Sequence, residues 1–414
     1  MNFNRRAINT TTTALAVILI IVIIAFAAYA AIGVGKTTVT ETETISTTVT
    51  GSATTATATV AVNECPGTNI TLSSYTPPAG KISLTAGGST FVNPIMQVWV
   101  AAYGNLTENE AAPVLINYAG VGSSSGQMGV LANTFAYAGS DAPLSASVLA
   151  GYKSSGPMLQ IPEALGGVAI FYNIPGVSTN LNFTGPVLAA IWNGSITTWN
   201  DPRITALNPG ATLPSATIVP VHRSDGSGTT YALSTYLATQ SPSWASTIGV
   251  GTSINWPTSE ESAKGSSGVA GLVSTTPDSI GYADSHYALS NNLLSADIQN
   301  AAGKYVAPTV AGFSAAAAAA ASTLSTNATA TIVNPPASAA TAYPISTFTY
   351  FLVWANQSNE ATAWALANFM NWVVTYGQSY STGLNYSPLP PSTVTADQHL
   401  VSQINFNGQT FTCP

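Results

Sequence analysis

Three short loops, rich in glycine and hydroxyl side chains, stand where a strand-like run gives way to a helical one. They are Gly87-Gly88-Ser89-Thr90, Gly120–Gly126 (GVGSSSG) and Ser224–Thr229 (SDGSGT). The start of a helix presents unpaired N–H groups and the positive end of the backbone dipole, which suits an anion. Glycine lets the backbone approach a ligand, and the hydroxyls of Thr90, Ser123, Ser227 and Thr229 add donors. Any one loop is equally a capped turn. Three together, beside Arg223, converge on a small oxyanion. Arg223 is one of nine Lys and Arg residues in the chain. Its planar fork matches a tetrahedral oxyanion, and Asp225, two residues on, is placed to pin the guanidinium. The alternative for that pair is a surface ion pair.

Asp141 is the odd member, because a carboxylate among anion donors repels the ligand. It makes sense where the ligand itself carries a proton to donate. Monohydrogen phosphate does, and sulfate at neutral pH does not. An acceptor facing an acceptor costs about 2–5 kcal/mol, enough for strong discrimination. The competing reading is a helix-capping aspartate before Ala142-Pro143.

Other chemistry finds less support. Gly122-Ser123-Ser124-Ser125-Gly126 fits the G-x-S-x-G nucleophile pattern, with His222, His286 and His399 as available bases. A loop this rich in Gly and Ser generates that pattern freely. Gly35-Lys36-Thr37 lacks the glycine five residues earlier that a phosphate-binding loop needs. No Cys/His spacing points to a metal, and no cofactor motif stands out. The two cysteines, Cys65 and Cys413, flank the folded region and read as a disulfide of an oxidising compartment, or as two unrelated thiols.

The elements that position these loops follow from periodicity. Strands are expected at Lys81–Ala86, Val114–Tyr118 and Phe135–Ala138, with a helical stripe of Ile95, Met96, Trp99, Val100 and Tyr103 between the first two. A second set has strands at Val168–Tyr172, Ile218–His222 and Ile280–Ala283. It adds a short amphipathic helix and turn over Ile191–Asn208 and a helix over Thr230–Thr239. The Ala-rich Ser314–Ser322 is expected to be helical, Thr347–Val353 a strand, and Ala361–Tyr376 a long helix. Strand, Gly-rich loop and helix in repetition are the grammar of α/β lobes with binding loops at strand C-termini.

The chain has 414 residues, enough for two lobes. Only 6% are charged, against roughly 25% in an average soluble chain, and net charge is −7. So few cations exclude a nucleic-acid partner. A neutral-polar surface suits the outside of a cell, where an acidic medium would change few charges. Arg5 and Arg6 precede an uncharged run, 14–35, long enough to span a bilayer, with the rest of the chain outside. That segment stays as an anchor, is cut after Ala28-Tyr29-Ala30, or is cut near Arg6-Ala7 as in pilin-like signals. A Thr-rich stretch follows to about residue 62 and reads as a stalk or linker. The expected organisation is anchor 1–35, stalk 36–63, first lobe 64–166, second lobe 167–284, and a return to the first lobe over 285–414.

In this order, LTAGGSTFVNP (84–94), YAGVGSSSG (118–126), ANTFAYAGSDAPLS (132–145), IWNGSITTWNDPRI (191–204), HRSDGSGTT (222–230), KGSSGVAGLV (264–273), SIGYAD (279–284) and YPISTFTYFLV (343–353) resemble the substrate-binding protein of phosphate ABC transporters. The resemblance covers most of the chain from about Ile82 to Pro391. It implies a type II periplasmic-binding-protein-like α/β fold of two lobes joined by a hinge, with a dry ligand cleft between them. It implies an extracytoplasmic, non-enzymatic receptor that binds inorganic phosphate and meets permease subunits at the membrane. The implied phosphate contacts are Thr90, the Phe91 N–H, Ser123, Asp141, Arg223, Ser227, Gly228 and Thr229, with Asp225 orienting Arg223. Val92 departs from the family's usual proline. The apolar N-terminal run, the stalk and the low charge are unusual beside bacterial members and look archaeal.

Overall fold

The computed structural model describes residues 75–256, 261–324 and 328–412, together with short strand segments between Thr44 and Thr57. The chain divides into two units, 1–71 and 72–414. In the first, Thr44–Ile45 pairs antiparallel with Ala56–Thr57, and Thr48–Val49 with Ser52–Ala53. The apolar run 14–35, Cys65 and Cys413 lie outside the described residues. Among the described residues, no helix is long and apolar enough to cross a membrane.

The second unit opens with β1 (Ile82–Gly88), α1 (Asn93–Thr107), β2 (Val114–Gly120), α2 (Ser123–Leu131) and β3 (Tyr137–Ser140). Pro94 suits the first turn of α1, where its missing N–H would have no partner. The stripe Ile95, Met96, Trp99, Tyr103 then faces the core, as the periodicity requires. β1 pairs parallel with both β2 and β3. Its residues Ala86 to Gly88 are buried on both faces, as parallel strands between helices are.

β4 (Met158–Asn173) is an almost continuously buried run of sixteen residues. Beyond it come β5 (Val219–Arg223), α3 (Gly228–Gln240), β6 (Glu261–Ala263), α4 (Gly265–Thr275), β7 (Ser279–Asp284) and the short β8 (Leu294–Ser295). The chain continues through α5 (Val310–Ala319), β9 (Ser346–Trp354), α6 (Glu360–Val374) and α7 (Pro391–Val401). One sheet runs β6-β5-β7-β4-β9-β3-β1-β2, with β8 also paired to β4.

β4 joins the two halves of that sheet by changing partners. Its residues Met158–Gly167 pair antiparallel with β9, and Val168–Asn173 pair antiparallel with β7. A second crossing lies beside the first, where the Val168 N–H donates to Ile345 O at 2.9 Å. In each half the leading strand lies between the next two in parallel, and an antiparallel strand closes the row. Pairing with the second half continues past residue 284, through β8 and through Asp297–Gln299, which pairs with Asn182–Phe183. The Ile191–Asn208 region holds the end of a helix over Gly185–Trp192 and a single turn over Pro202–Thr205.

At least four of the sixteen acidic residues are buried: Asp141, Glu163, Asp284 and Asp397. Glu163 Oε2, Asp284 Oδ2 and both oxygens of Asp397 have no hydrogen-bond partner among the described residues. Burial pushes the last three carboxyls well above the usual carboxylate range, because charge is costly in the low-dielectric interior. The folded state therefore holds protons that the unfolded chain has released once pH exceeds the unfolded value of about 4. Stability is fullest below that value and falls as pH rises toward the folded values. Thermal unfolding should show a melting temperature that drops between acid and neutral pH. Asp397→Asn, which has no proton to lose in this range, should flatten the drop.

Candidate functional site

The three loops meet where the two halves of the sheet face each other. β1 delivers Ser89 and Thr90 to the start of α1, β2 delivers Ser123 to the start of α2, and β3 delivers Asp141. From the other half, β5 delivers Arg223, and the turn after it brings Asp225, Ser227, Gly228 and Thr229 to the start of α3. Thr90, Phe91, Ser123, Asp141, Arg223, Ser227 and Thr229 are all buried, with Asp141 2% exposed and Arg223 5%.

Arg223 and Asp225 form a two-pronged pair. Nε donates to Oδ1 at 2.7 Å and Nη2 to Oδ2 at 2.6 Å. This fixes the guanidinium plane and leaves Nη1 directed elsewhere, 3.4 Å from Ser266 Oγ. Burial works to raise the Asp225 carboxyl, but the Arg223 hydrogen bonds and charge and the Gly265 N–H outweigh it. The carboxyl is held below its usual range. The Arg223 N–H donates to the Tyr282 hydroxyl at 3.2 Å, which anchors the strand end.

Asp141 sits opposite and receives donors on both oxygens. The Ser89 hydroxyl donates to Oδ1, and Thr229 Oγ1 donates to Oδ2 at 3.1 Å from across the cleft. The Asp141 N–H donates to Ser123 Oγ at 3.3 Å. Burial raises this carboxyl to about 6, against the Ser89 hydrogen bond, the Arg223 charge and the Thr229 hydrogen bond, while Asp225 adds to the rise.

Two glycines permit the approach. At Gly228 a Cβ would lie 2.6 Å from Asp141 Cβ, closer than carbon atoms pack. At Gly122, whose φ is 93°, a side chain would run into the Asp225 carboxylate. Further contacts join the halves: Thr90 Oγ1 accepts from the Ser266 N–H at 3.1 Å and lies 3.0 Å from Ser266 Oγ. The Ser124 N–H donates to Gly226 O at 3.2 Å, and Ser124 Oγ donates to Thr252 Oγ1 at 3.0 Å. That last bond occupies the serine of the G-x-S-x-G pattern. His222 Nδ1 instead pairs with its neighbour's carbonyl, Arg223 O, at 3.0 Å.

Some expected groups are turned to local partners. The Phe91 N–H donates to Ser89 Oγ at 3.0 Å, and Ser227 Oγ caps α3 by accepting from the Thr230 N–H at 3.2 Å. Ser89, Gly265, Ser266 and Tyr282 are site neighbours that the sequence reading did not single out. Gly265-Ser266 opens α4 by the same strand-loop-helix grammar as the other three loops, and that signal was available.

The chain is similar to known phosphate-binding proteins. A family profile described as a PBP superfamily domain matches residues 37–375. The phosphate-binding protein PstS of Pasteurella multocida is 35% identical over 326 residues, covering 78% of this chain and 91% of that protein. The protein of the same name from Xylella fastidiosa is 36% identical over 337 residues, covering 80% and 89%. That from Methanocaldococcus jannaschii is 34% identical over 343 residues, covering 77% and 85%. Among solved structures, a high-affinity periplasmic phosphate-binding protein bound with phosphate matches with a TM-score of 0.61 at 23% identity, covering 77% of this chain and 93% of that one. At that identity the likeness speaks for the fold.

Gly228→Ala should force the start of α3 away from Asp141. Overpacking of this kind costs about 1–3 kcal/mol, so amide hydrogen exchange in residues 226–231 and 140–142 should accelerate by about tenfold. Unchanged exchange in both segments would show that they do not press on each other.

Proposed function

This chain belongs to the PBP superfamily and, within it, to the family of phosphate-binding proteins named PstS, and we propose that it captures inorganic phosphate outside the cytoplasm and hands it to an ABC-type importer. The observation that carries the proposal is the burial of Asp141 and Arg223 on facing sides of one cleft, with half-buried Asp225 pinning the guanidinium. Arg223 and the helix starts supply positive potential for an oxyanion. Asp141, an acceptor when ionised, takes the ligand's own proton and penalises an oxyanion that has none. The ligand contacts are Thr90, Phe91 through its N–H, Ser123, Asp141, Arg223, Ser227, Gly228 and Thr229. The Phe91 N–H and the Ser227 hydroxyl, each bonded locally, are then shared with the ligand.

Binding here is a closure. Two crossings, at Gly167–Val168 and Ile345–Ser346, act as the hinge, and bonds between the halves form as the ligand is enclosed. The permease reads the closed surface, so affinity and delivery are linked through one equilibrium. No chemical step is required of the site, and no cofactor enters the mechanism. The apolar run 14–35 holds the receptor at the outer membrane face, where a tether raises its effective concentration at the importer. Cys65 and Cys413 close the folded region with a disulfide. The tether and the uncharged surface suit an archaeal cell.

Calorimetry of the full chain against phosphate, sulfate and molybdate should show tight binding of phosphate alone at neutral pH. Arg223→Ala should lower phosphate affinity by about two to three orders of magnitude, since it removes the one guanidinium in the cleft and leaves half-buried Asp225 without it. Near-native binding by that variant would refute the site as drawn. Asp141→Asn should retain phosphate binding while losing most of its preference over sulfate. Unchanged preference in competition calorimetry would remove the role given to Asp141.

A further inference from the structure

Ser89 precedes Thr90 in the first loop, and the binding scheme gives it no contact with the ligand. Its geometry is nonetheless closely specified. The side chain is fully buried. Its oxygen accepts the N–H groups of Phe91 at 3.0 Å and Val92 at 3.4 Å, both at the start of α1. Its proton goes to Asp141 Oδ1. Its own backbone is fixed on both sides. The Ser89 N–H donates to Gly139 O at 2.8 Å, and Ser89 O accepts from the Tyr118 hydroxyl at 2.9 Å. A hydroxyl has one proton to give and two lone pairs to receive with. Both lone pairs here are engaged by amides, so the proton is committed to Asp141.

We propose that Ser89 is a positioning residue that couples the N-terminal amides of α1 to Asp141, keeps Asp141 an acceptor, and thereby sets the pH range over which the cleft prefers a protonated oxyanion to an unprotonated one. The inference rests on the reading of the cleft as a phosphate site and adds a specificity determinant to it. A protonated Asp141 carrying its proton on Oδ1 would face an oxygen with no lone pair left. On Oδ2 it would face Thr229, whose hydroxyl can turn to accept. Ser89 therefore opposes protonation from one side, and does so with the helix dipole behind it.

The other groups facing Asp141 come from each element packed around it. Arg223 ends β5, Asp225 lies on the turn after it and Tyr231 on α3. Tyr118 lies on β2, Glu163 on β4, Asp284 on β7, Tyr350 on β9 and Tyr386 before α7. Arg223 favours the ionised carboxylate, and the acids oppose it where they are charged. Among the influences holding Asp141 down, the Ser89 hydrogen bond ranks ahead of the Arg223 charge. Without the Ser89 hydroxyl, Asp141 takes up a proton more readily and becomes a donor, which welcomes a fully ionised anion such as sulfate.

The test is competition calorimetry of phosphate against sulfate on the full chain, from about pH 4 to about pH 9, spanning the ordinary range of a perturbed carboxyl. The original protein, Ser89→Ala and Ser89→Cys are compared. In the original protein sulfate competes only below a midpoint set by Asp141. Ser89→Ala should move that midpoint up by about one to two pH units, the size expected of one charge-assisted hydrogen bond. Ser89→Cys, whose thiol donates weakly, should shift it less, and it carries the test alone if the alanine variant does not fold. A midpoint that stays in place while the original protein discriminates normally overturns this inference and leaves the phosphate reading intact. Failure of the original protein to bind phosphate overturns both.

Discussion

A carboxylate buried between two halves of a sheet needs donors, and the geometry around Asp141 follows from that need. In the interior an unpartnered charge is far costlier than in water, so each oxygen must be met. Ser89 meets one from the same half, and Thr229 meets the other from the opposite half. The second of these bonds exists only while the start of α3 presses on Asp141, which in turn requires glycine at 228. The same closeness brings Arg223 and its Asp225 partner into the cleft. In the proposed reading, closure of the halves and assembly of the site are one event.

The chain achieves this with few charges. With 6% charged residues, those it buries are individually placed. The Arg223–Asp225 pair is neutral as a unit, so in the proposed phosphate reading the ligand's charge is met largely by helix starts, hydroxyls and the remaining edge of one guanidinium. A largely buried ion pair of this kind is a poor device for stability and a good one for geometry. Glu163, Asp284 and Asp397 sit deeper and favour the protonated state. Their burial weighs against folding at neutral pH and not at acid pH. The charge of Asp141 adds to the rise of the Glu163 and Asp284 carboxyls. An acidic medium would relieve both strains together, in keeping with a surface that carries little charge to titrate.

Much of this was legible in the residues. The strand-loop-helix units, the apolar stripe of α1 and the Arg223-x-Asp225 spacing each express local rules, and the structure brings those loops together. The Ala-rich helix begins at Val310, four residues before the expected start, because Thr309 caps it by accepting from the Gly312 N–H. The first half of β4 was not read as strand. Pro162, Glu163, Gly166 and Gly167 break the strand signal, and only pairing with β9 over Ser346–Trp354 makes the segment extended. Ser89 escaped notice for a related reason. Its importance lies in a partner 52 residues away, and nothing in GGSTF marks which hydroxyl reaches Asp141.

The bonds between the halves do not all involve the ligand's residues. Ser124 bonds Gly226 and Thr252 across the cleft, and Thr90, one of the proposed ligand contacts, also accepts from Ser266. Contacts of this kind lower the free energy of the closed form before any anion enters, so a ligand need only supply the remainder. That arrangement favours affinity but not selectivity, because every oxyanion benefits equally from a cleft already inclined to close. Selectivity must then come from a group that is worse for the wrong ligand than for the right one. In the proposed phosphate reading, Asp141 is the acid placed for that purpose among the donors. Its discrimination depends on remaining an acceptor while buried, and the hydroxyls of Ser89 and Thr229 hold it in that state from the two sides of the cleft.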